Sequence, residues 1–207
     1  MGAEALELRK RKNWEDIKME LKGSKTEKNL RAAFTGESMA RNRYTFYAEK
    51  AKQEGLDEIA DLYDRMAKNE SIHAKLFYQH LNGGIAGTAS NLMESMKGEF
   101  SEWSTMYPDF AKTAREEGLS DVAELFENVA NIERNHEHAF LAALAQLSAS
   151  TSGKSAAPAE PAARDHTVTV NGYRCMFCGA TYEKRPDVCS VCHAIGSFEA
   201  ATFQKEA

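Results

Sequence analysis

Several things are scarce in this 207-residue sequence, and each scarcity excludes something. No apolar run approaches the ~20 residues that a helix needs to cross a bilayer. The first eighteen residues, MGAEALELRKRKNWEDIK, are charged throughout and lack the apolar centre of a secretory signal. Basic residues are not in excess: 26 Lys and Arg face 31 Asp and Glu, for a net charge of −5. That balance argues against nucleic acid or an anionic membrane as the main partner. Cysteine is missing from everything before position 175, so no disulfide framework supports the body of the chain. These absences describe a cytoplasmic protein whose thiols are confined to its tail.

Much of what remains is helical in character. From about Thr26 to Leu147 the sequence is rich in Ala, Glu, Lys, Leu and Met, and apolar residues recur at helical spacing. Breaks at Gly55, at Gly83-Gly84-Ile85-Ala86-Gly87 and at Gly118 divide it into four segments, 26–54, 56–81, 89–117 and 119–147. Four helices of that size predict a four-helix bundle. Pro108 falls within the third segment and predicts a kink or an interrupted hydrogen-bond ladder there.

The body also repeats. AKQEGLDEIADLYDRMAKNESIHAKLF (51–77) lies over AREEGLSDVAELFENVANIERNHEHAF (114–140) at an offset of 63. In that overlay Glu70 matches Glu133 and His73 matches His136. Two helical hairpins of similar sequence predict approximate two-fold symmetry, with one ExxH contributed by each half.

These motifs sit on the stripes that should be buried. Ile59, Leu62, Tyr63, Met66, Phe77 and Leu81 share a stripe with Glu70 and His73; Val122, Leu125, Phe126, Val129, Phe140 and Leu144 share one with Glu133 and His136. Glu37 lies on the stripe of the first segment, and Glu99 and Glu102 on that of the third. Five buried carboxylates without partners would each cost several kcal/mol. A metal removes that cost, and residues three apart on a helix face the same site. One ExxH alone is usually an accident, and His80 and His138, which have no matching partner, read as solvated. Two such motifs at equivalent places, with glutamates on both other helices, match the di-iron or di-manganese carboxylate pattern of ferritin-like bundles. Glu102 has no counterpart three residues after Glu37. Four carboxylates neutralise two ferrous ions, whereas two ferric ions leave room for a fifth. Glu102 is therefore expected to bind in the oxidised state, with His73 as its neutral replacement on reduction.

After Leu147 the composition changes. SASTSGKSAAPAEPAARD (148–165) reads as a flexible linker, and His166-Thr167-Val168-Thr169-Val170 as a short strand leading into the cysteines. Cys175/Cys178 and Cys189/Cys192 form two CxxC knuckles with ten residues between them. Four thiolates suit tetrahedral zinc or a single iron, and the spacing does not choose between them. A neighbouring dinuclear iron site, which must receive its electrons singly, favours iron. Residues 166–207 are too few to fold on a hydrophobic core alone, so a metal has to help hold them.

With these residues in view, the chain resembles the rubrerythrins, a ferritin-like di-iron bundle followed by a rubredoxin-like domain. The densest matches are MELKGSKTEKN, GESMARNRY, AKNESIHAK, GEFSEWSTMYPDFAKTAREEG and ERNHE. The implied division is an extension over 1–18, the bundle over 19–147, the linker over 148–165 and the rubredoxin-like domain over 166–207. The resemblance implies di-iron ligation by Glu37, Glu70, Glu99, Glu102, Glu133 and His136, with His73 replacing Glu102 on reduction. Tyr44 and Tyr107 fall where the family places tyrosines near the cluster. Cys175, Cys178, Cys189 and Cys192 would hold the mononuclear iron. The sequence departs from the family in three places. The loop 82–91 is shorter than in many members, the second knuckle reads CSVCH where rubredoxins have CPxCG, and residues 1–18 precede the usual start.

The implied activity is reduction of hydrogen peroxide to water, in oxidative-stress defence. Electrons would come from rubredoxin or an NAD(P)H-dependent reductase through the mononuclear iron. The resemblance also implies a head-to-tail homodimer, in which one subunit's mononuclear iron serves its partner's di-iron site. The alternative is a ferritin-like protein that oxidises or sequesters iron and carries a structural tail. A zinc-tailed protein–protein adaptor is a third reading.

Overall fold

The computed structural model describes residues 20–151 and 167–206. The extension 1–18 and most of the expected linker, residues 152–165, lie outside the described residues. Helix α1 spans Lys25–Gln53, α2 Asp57–Asn82, α3 Thr88–Ser101, α4 Tyr107–Glu116 and α5 Ser120–Thr151; a π-helical turn, Glu102–Met106, joins α3 to α4. Three strands follow, β1 (Thr167–Cys175), β2 (Thr181–Tyr182) and β3 (Phe198–Glu206). Helix α5 runs four residues past the Leu147 boundary expected from composition, because Ser and Ala at its end tolerate one more turn.

Local sequence explains where the helices start and stop. Ser24 caps α1: its hydroxyl accepts the Glu27 amide at 3.0 Å, while the Glu27 carboxylate accepts the Gly23 amide at 2.6 Å. The α1–α2 and α4–α5 turns are the same device used twice. Gly55 and Gly118 adopt φ of 73° and 79°, a left-handed conformation that a β-carbon disfavours. Leu56 then donates its amide to Ala51 O at 2.9 Å, and Leu119 donates to Ala114 O at 2.8 Å.

The chain forms two compact units, divided between Ala86 and Gly87. In the first, α1 packs on α2; in the second, α3 and α4 pack on α5. Alanine makes these contacts close. Ala48, Ala51 and Ala60 are buried in the first unit, and their repeat counterparts Ala111, Ala114 and Ala123 in the second. Larger residues on the expected stripes behave differently. Ile59, Leu62, Val122 and Leu125 are each 40% exposed or more. The small residues beside them hold each hairpin together, so these large side chains do not pack against their own hairpin.

In the cysteine module the sheet order is β2-β1-β3, antiparallel throughout, with Tyr173 opposite both Tyr182 and Ala200. Its core joins Cys175, Ala180, Cys189 and Phe198 to Ile132 of α5. The module therefore rests on the helix that carries Glu133 and His136.

Candidate metal centres

Helix spacing assembles the first triad. Glu70 and His73, three apart on α2, turn to one face, and His73 Nδ1 lies 2.8 Å from Glu70 Oε2. Glu37 of α1 joins them: one donor atom from each of the three residues lies within 4.8 Å of the others. The two glutamates are half-buried and His73 is exposed.

The second triad repeats the first in the other unit. Glu99 of α3 joins Glu133 and His136 of α5, again with donors within 4.8 Å of one another. His136 Nδ1 lies 2.6 Å from Glu133 Oε2 and 3.8 Å from Glu99 Oε2. Burial pushes the Glu99 carboxyl up to about 7, reinforced by a hydrogen bond with Glu133 and by the charges of Glu133 and Glu102. Glu102 is also raised, by burial and then by Glu133, against the opposing pull of His136. It stands close enough to feel the triad without belonging to its tight cluster.

The π turn explains how the triads correspond. Gly36-Glu37 lies 62 residues before Gly98-Glu99, whereas Tyr44 lies 63 before Tyr107. The second hairpin therefore holds one extra residue between its glutamate and its tyrosine. That residue is absorbed at Glu102–Met106, where the Tyr107 amide donates to Glu102 O, five residues back. Pro108 follows immediately, and its missing amide and bulky ring make the regular ladder costly at this place. The kink anticipated from Pro108 is this wider turn.

Tyr107 lies beside the second triad. Burial raises its phenol, as do the charges of Glu102, Glu133 and Glu99. Tyr44, in the first unit, stacks with Tyr63 and Tyr47 at centroid distances of 5.9 and 6.4 Å. Two features escaped the sequence reading. Glu137 is buried and accepts a hydrogen bond from Trp103 Nε1 at 2.8 Å. A glutamate on the same helix as an ExxH motif gives no separate signal in sequence. His138 is half-buried rather than solvated, whereas His80 is exposed as anticipated.

The four cysteines converge as the spacing predicted. Cys175 Sγ lies 3.7 Å from Cys192 Sγ, and Cys178 Sγ lies 3.6 Å from Cys189 Sγ. A tetrahedron with metal–sulfur bonds of about 2.3 Å has edges of about 3.8 Å, so the cradle fits one ion. Burial alone would raise the Cys189 thiol. Amides of Cys192 and Val191 and the Tyr182 hydroxyl, 3.1 Å from its sulfur, outweigh that and bring it down to about 6. The Cys178 thiol is pushed up by burial and by sharing its proton with neighbouring sulfurs.

The departure at CSVCH leaves the backbone intact. His193 takes φ of 59°, the left-handed conformation that Gly179 takes in the first knuckle. His193 N donates to Cys189 O and Gly179 N to Cys175 O, both at 3.0 Å. Ser190 has its own use: its amide donates to Tyr182 OH at 3.0 Å.

The first knuckle meets α5. A β-carbon on Gly179 would lie 2.9 Å from His136 Nε2 and 3.0 Å from Ile132 Cγ2. Only a residue without a side chain allows this approach. Asn135 Nδ2 adds a hydrogen bond to Thr181 Oγ1 at 3.3 Å. The cysteine cradle is thus seated against the imidazole of the second triad.

The donors suit iron: carboxylate and imidazole in the triads, thiolate in the cradle. The Rubrerythrin family model matches residues 28–88 and 90–169. Rubrerythrin of Porphyromonas gingivalis is 38% identical over 199 residues, covering 89% of this chain and 94% of its own. Rubrerythrin-1 of Clostridium acetobutylicum is 37% identical over 198 residues, covering 86% and 95%. Rubrerythrin of Nitratidesulfovibrio vulgaris is 44% identical over 133 residues, covering 58% and 70%. A family match across most of the helical body, together with two carboxylate–histidine triads and a tetrathiolate cradle, establishes that the chain belongs to the rubrerythrin family and that its cofactor is iron.

Proposed function

We propose that the protein is a peroxidase that reduces hydrogen peroxide to water in oxidative-stress defence, in the cytoplasm. The balance is one peroxide, two electrons and two protons giving two waters. The observation that carries this reading is the seating of the tetrathiolate cradle against His136, with Gly179 as the point of approach. A protein that only stores or mineralises iron has no use for a one-electron centre built against a ligand of its metal site.

Residue roles follow from the geometry. Glu37, Glu70 and His73 would hold one side of a dinuclear iron site, and Glu99, Glu133 and His136 the other. Iron held there would supply the two electrons that the reduction needs. Glu102 lies outside the tight triad, while His73 is one of the donors clustered with Glu37 and Glu70. That arrangement supports Glu102 as the ligand of the oxidised state and His73 as the ligand of the reduced one. Tyr107, whose raised phenol keeps its proton, would donate a hydrogen bond to substrate oxygen; Tyr44 is the corresponding hydroxyl of the first unit.

Electrons would enter at the tetrathiolate iron from rubredoxin or an NAD(P)H-dependent reductase. Met176 and Phe177, at the tip of the first knuckle, are 66% and 75% exposed and offer such a donor an apolar docking face. In a head-to-tail dimer the tetrathiolate iron would serve the partner's site. The contact between Gly179 and His136 of one chain supports delivery within the chain instead.

The test is to reduce the iron-loaded protein and mix it separately with stoichiometric peroxide and with oxygen. Rapid oxidation by peroxide, with two electrons consumed per peroxide, is the expected result. Faster oxidation by oxygen, with ferric mineral accumulating, would replace this reading with iron sequestration.

A further inference from the structure

The sulfur of Cys189 is buried, and it has a neighbour that holding a metal does not require. The Tyr182 hydroxyl, on β2, lies 3.1 Å from Cys189 Sγ. Among the described residues, the other sulfurs of the cradle have no side-chain hydroxyl at hydrogen-bond distance. The phenol is fixed at both ends. Its ring meets Phe198 of the module's core edge to face, with centroids 5.7 Å apart. Its oxygen is held by a single residue: Ser190 N donates to Tyr182 Oη at 3.0 Å, and Ser190 Oγ lies 3.1 Å from the same oxygen. Position 190 is where CSVCH departs from CPxCG, and a proline there has no amide proton to give.

Counting donors and acceptors places the phenol proton. Two acceptors compete for it, Ser190 Oγ and Cys189 Sγ. A thiolate that ligates a metal carries charge and has no proton of its own, so it is the stronger acceptor. The serine hydroxyl can give or accept, and it turns its own proton to the phenol oxygen. That oxygen then uses both lone pairs on Ser190 and its proton on the sulfur. We propose that Ser190 and Tyr182 act as a pair that raises the reduction potential of the tetrathiolate iron. Reduction adds negative charge to an iron–thiolate centre, and a donor to sulfur stabilises the added charge. Donation from Ser190 polarises the phenol and strengthens its own donation. Tyr182 tunes the ligand directly, and Ser190 is a positioning residue behind it. The use of the pair in electron delivery rests on the function proposed above, whereas its effect on the potential does not.

Optical redox titration of the full-length, iron-loaded protein tests the pair, read at the sulfur-to-iron charge-transfer band. Tyr182→Phe keeps the ring against Phe198 and removes the hydroxyl. It should lower the potential, seen as a several-fold loss of reduced centre at a fixed poise, and shift the band. Ser190→Pro removes both serine donors and should lower the potential by less. Ser190→Ala keeps the amide and should fall between Ser190→Pro and wild type. The double variant with Tyr182→Phe and Ser190→Pro should lose no more than Tyr182→Phe alone, because the serine acts through the phenol. If Tyr182→Phe does not hold iron, 3-fluorotyrosine at position 182 takes its place: its more acidic hydroxyl should raise the potential at neutral pH. An unchanged potential in either protein overturns the proposal, even where stability to urea falls, since a ring that only packs would give that result. Additive losses in the double variant overturn the role of Ser190. No peroxide enters the titration, so a protein that shows these shifts and leaves peroxide unreduced overturns the proposed function and not the pair.

Discussion

The two triads carry the same donors at equivalent places in a repeat, yet their surroundings differ. The first consists of Glu37, Glu70 and an exposed His73. The second has a fifth carboxylate nearby, a π turn that sets its glutamate and tyrosine one residue further apart, and the cysteine cradle against its histidine. Duplication supplied the donors. A one-residue insertion and a docked module make the halves unequal.

The largest expected effect separates the two histidines. His136→Ala should lose dinuclear iron in both oxidation states. If Glu102 is the ligand of the oxidised state as proposed, His73→Ala should keep its ferric iron and lose affinity only for the ferrous form. Iron per chain in oxidised and dithionite-reduced protein decides this; equal losses would restore symmetry to the pair.

Next in size is the contact that, among the described residues, the second triad makes with the cysteine module. Gly179→Val forces the knuckle off His136 and Ile132. Reoxidation of the tetrathiolate iron by peroxide should slow measurably as the two centres move apart. The optical spectrum of the tetrathiolate centre should be unchanged. Unaltered kinetics would place the electron route elsewhere.

The packing of the halves should respond alike. Ala60 and Ala123 are both fully buried at equivalent turns. Leucine at either position should cost about 1–3 kcal/mol by overpacking, measured by urea unfolding of the metal-free protein. A large inequality would show that the two hairpins do not share one packing scheme.

The smallest effect probes the crowding of carboxylates. In metal-free protein Glu99 titrates at about 7. Between about pH 4.5 and 7 the folded state holds a proton that the unfolded state has released, so stability falls as pH rises through that window. Glu99→Gln should remove that slope, recovering about 1–2 kcal/mol at pH 8 once partial exposure is allowed for. Unfolding at pH 5 and pH 8 compares the two proteins.

Much of this was legible in sequence because it is local. The ExxH spacing sets two side chains on one helical face, the glycines stop the helices, and CxxC knuckles converge once a metal holds them. The exposure of Ile59 and Leu62 was not legible. Periodicity identifies an apolar stripe, but the surface that covers the stripe is not a local property. The π turn was half legible: Pro108 predicted an irregularity, and its form as a wide turn over Glu102–Met106 came from the structure.

By itself the sequence determined the donors, their duplication, the helix limits and the length of the central link. Only the tertiary structure decided that Gly179 lies against His136, because that contact joins residues 43 positions apart through the packing of Ile132 into the cysteine core. Contacts of that kind depend on how whole elements pack, and no short-range pattern encodes them.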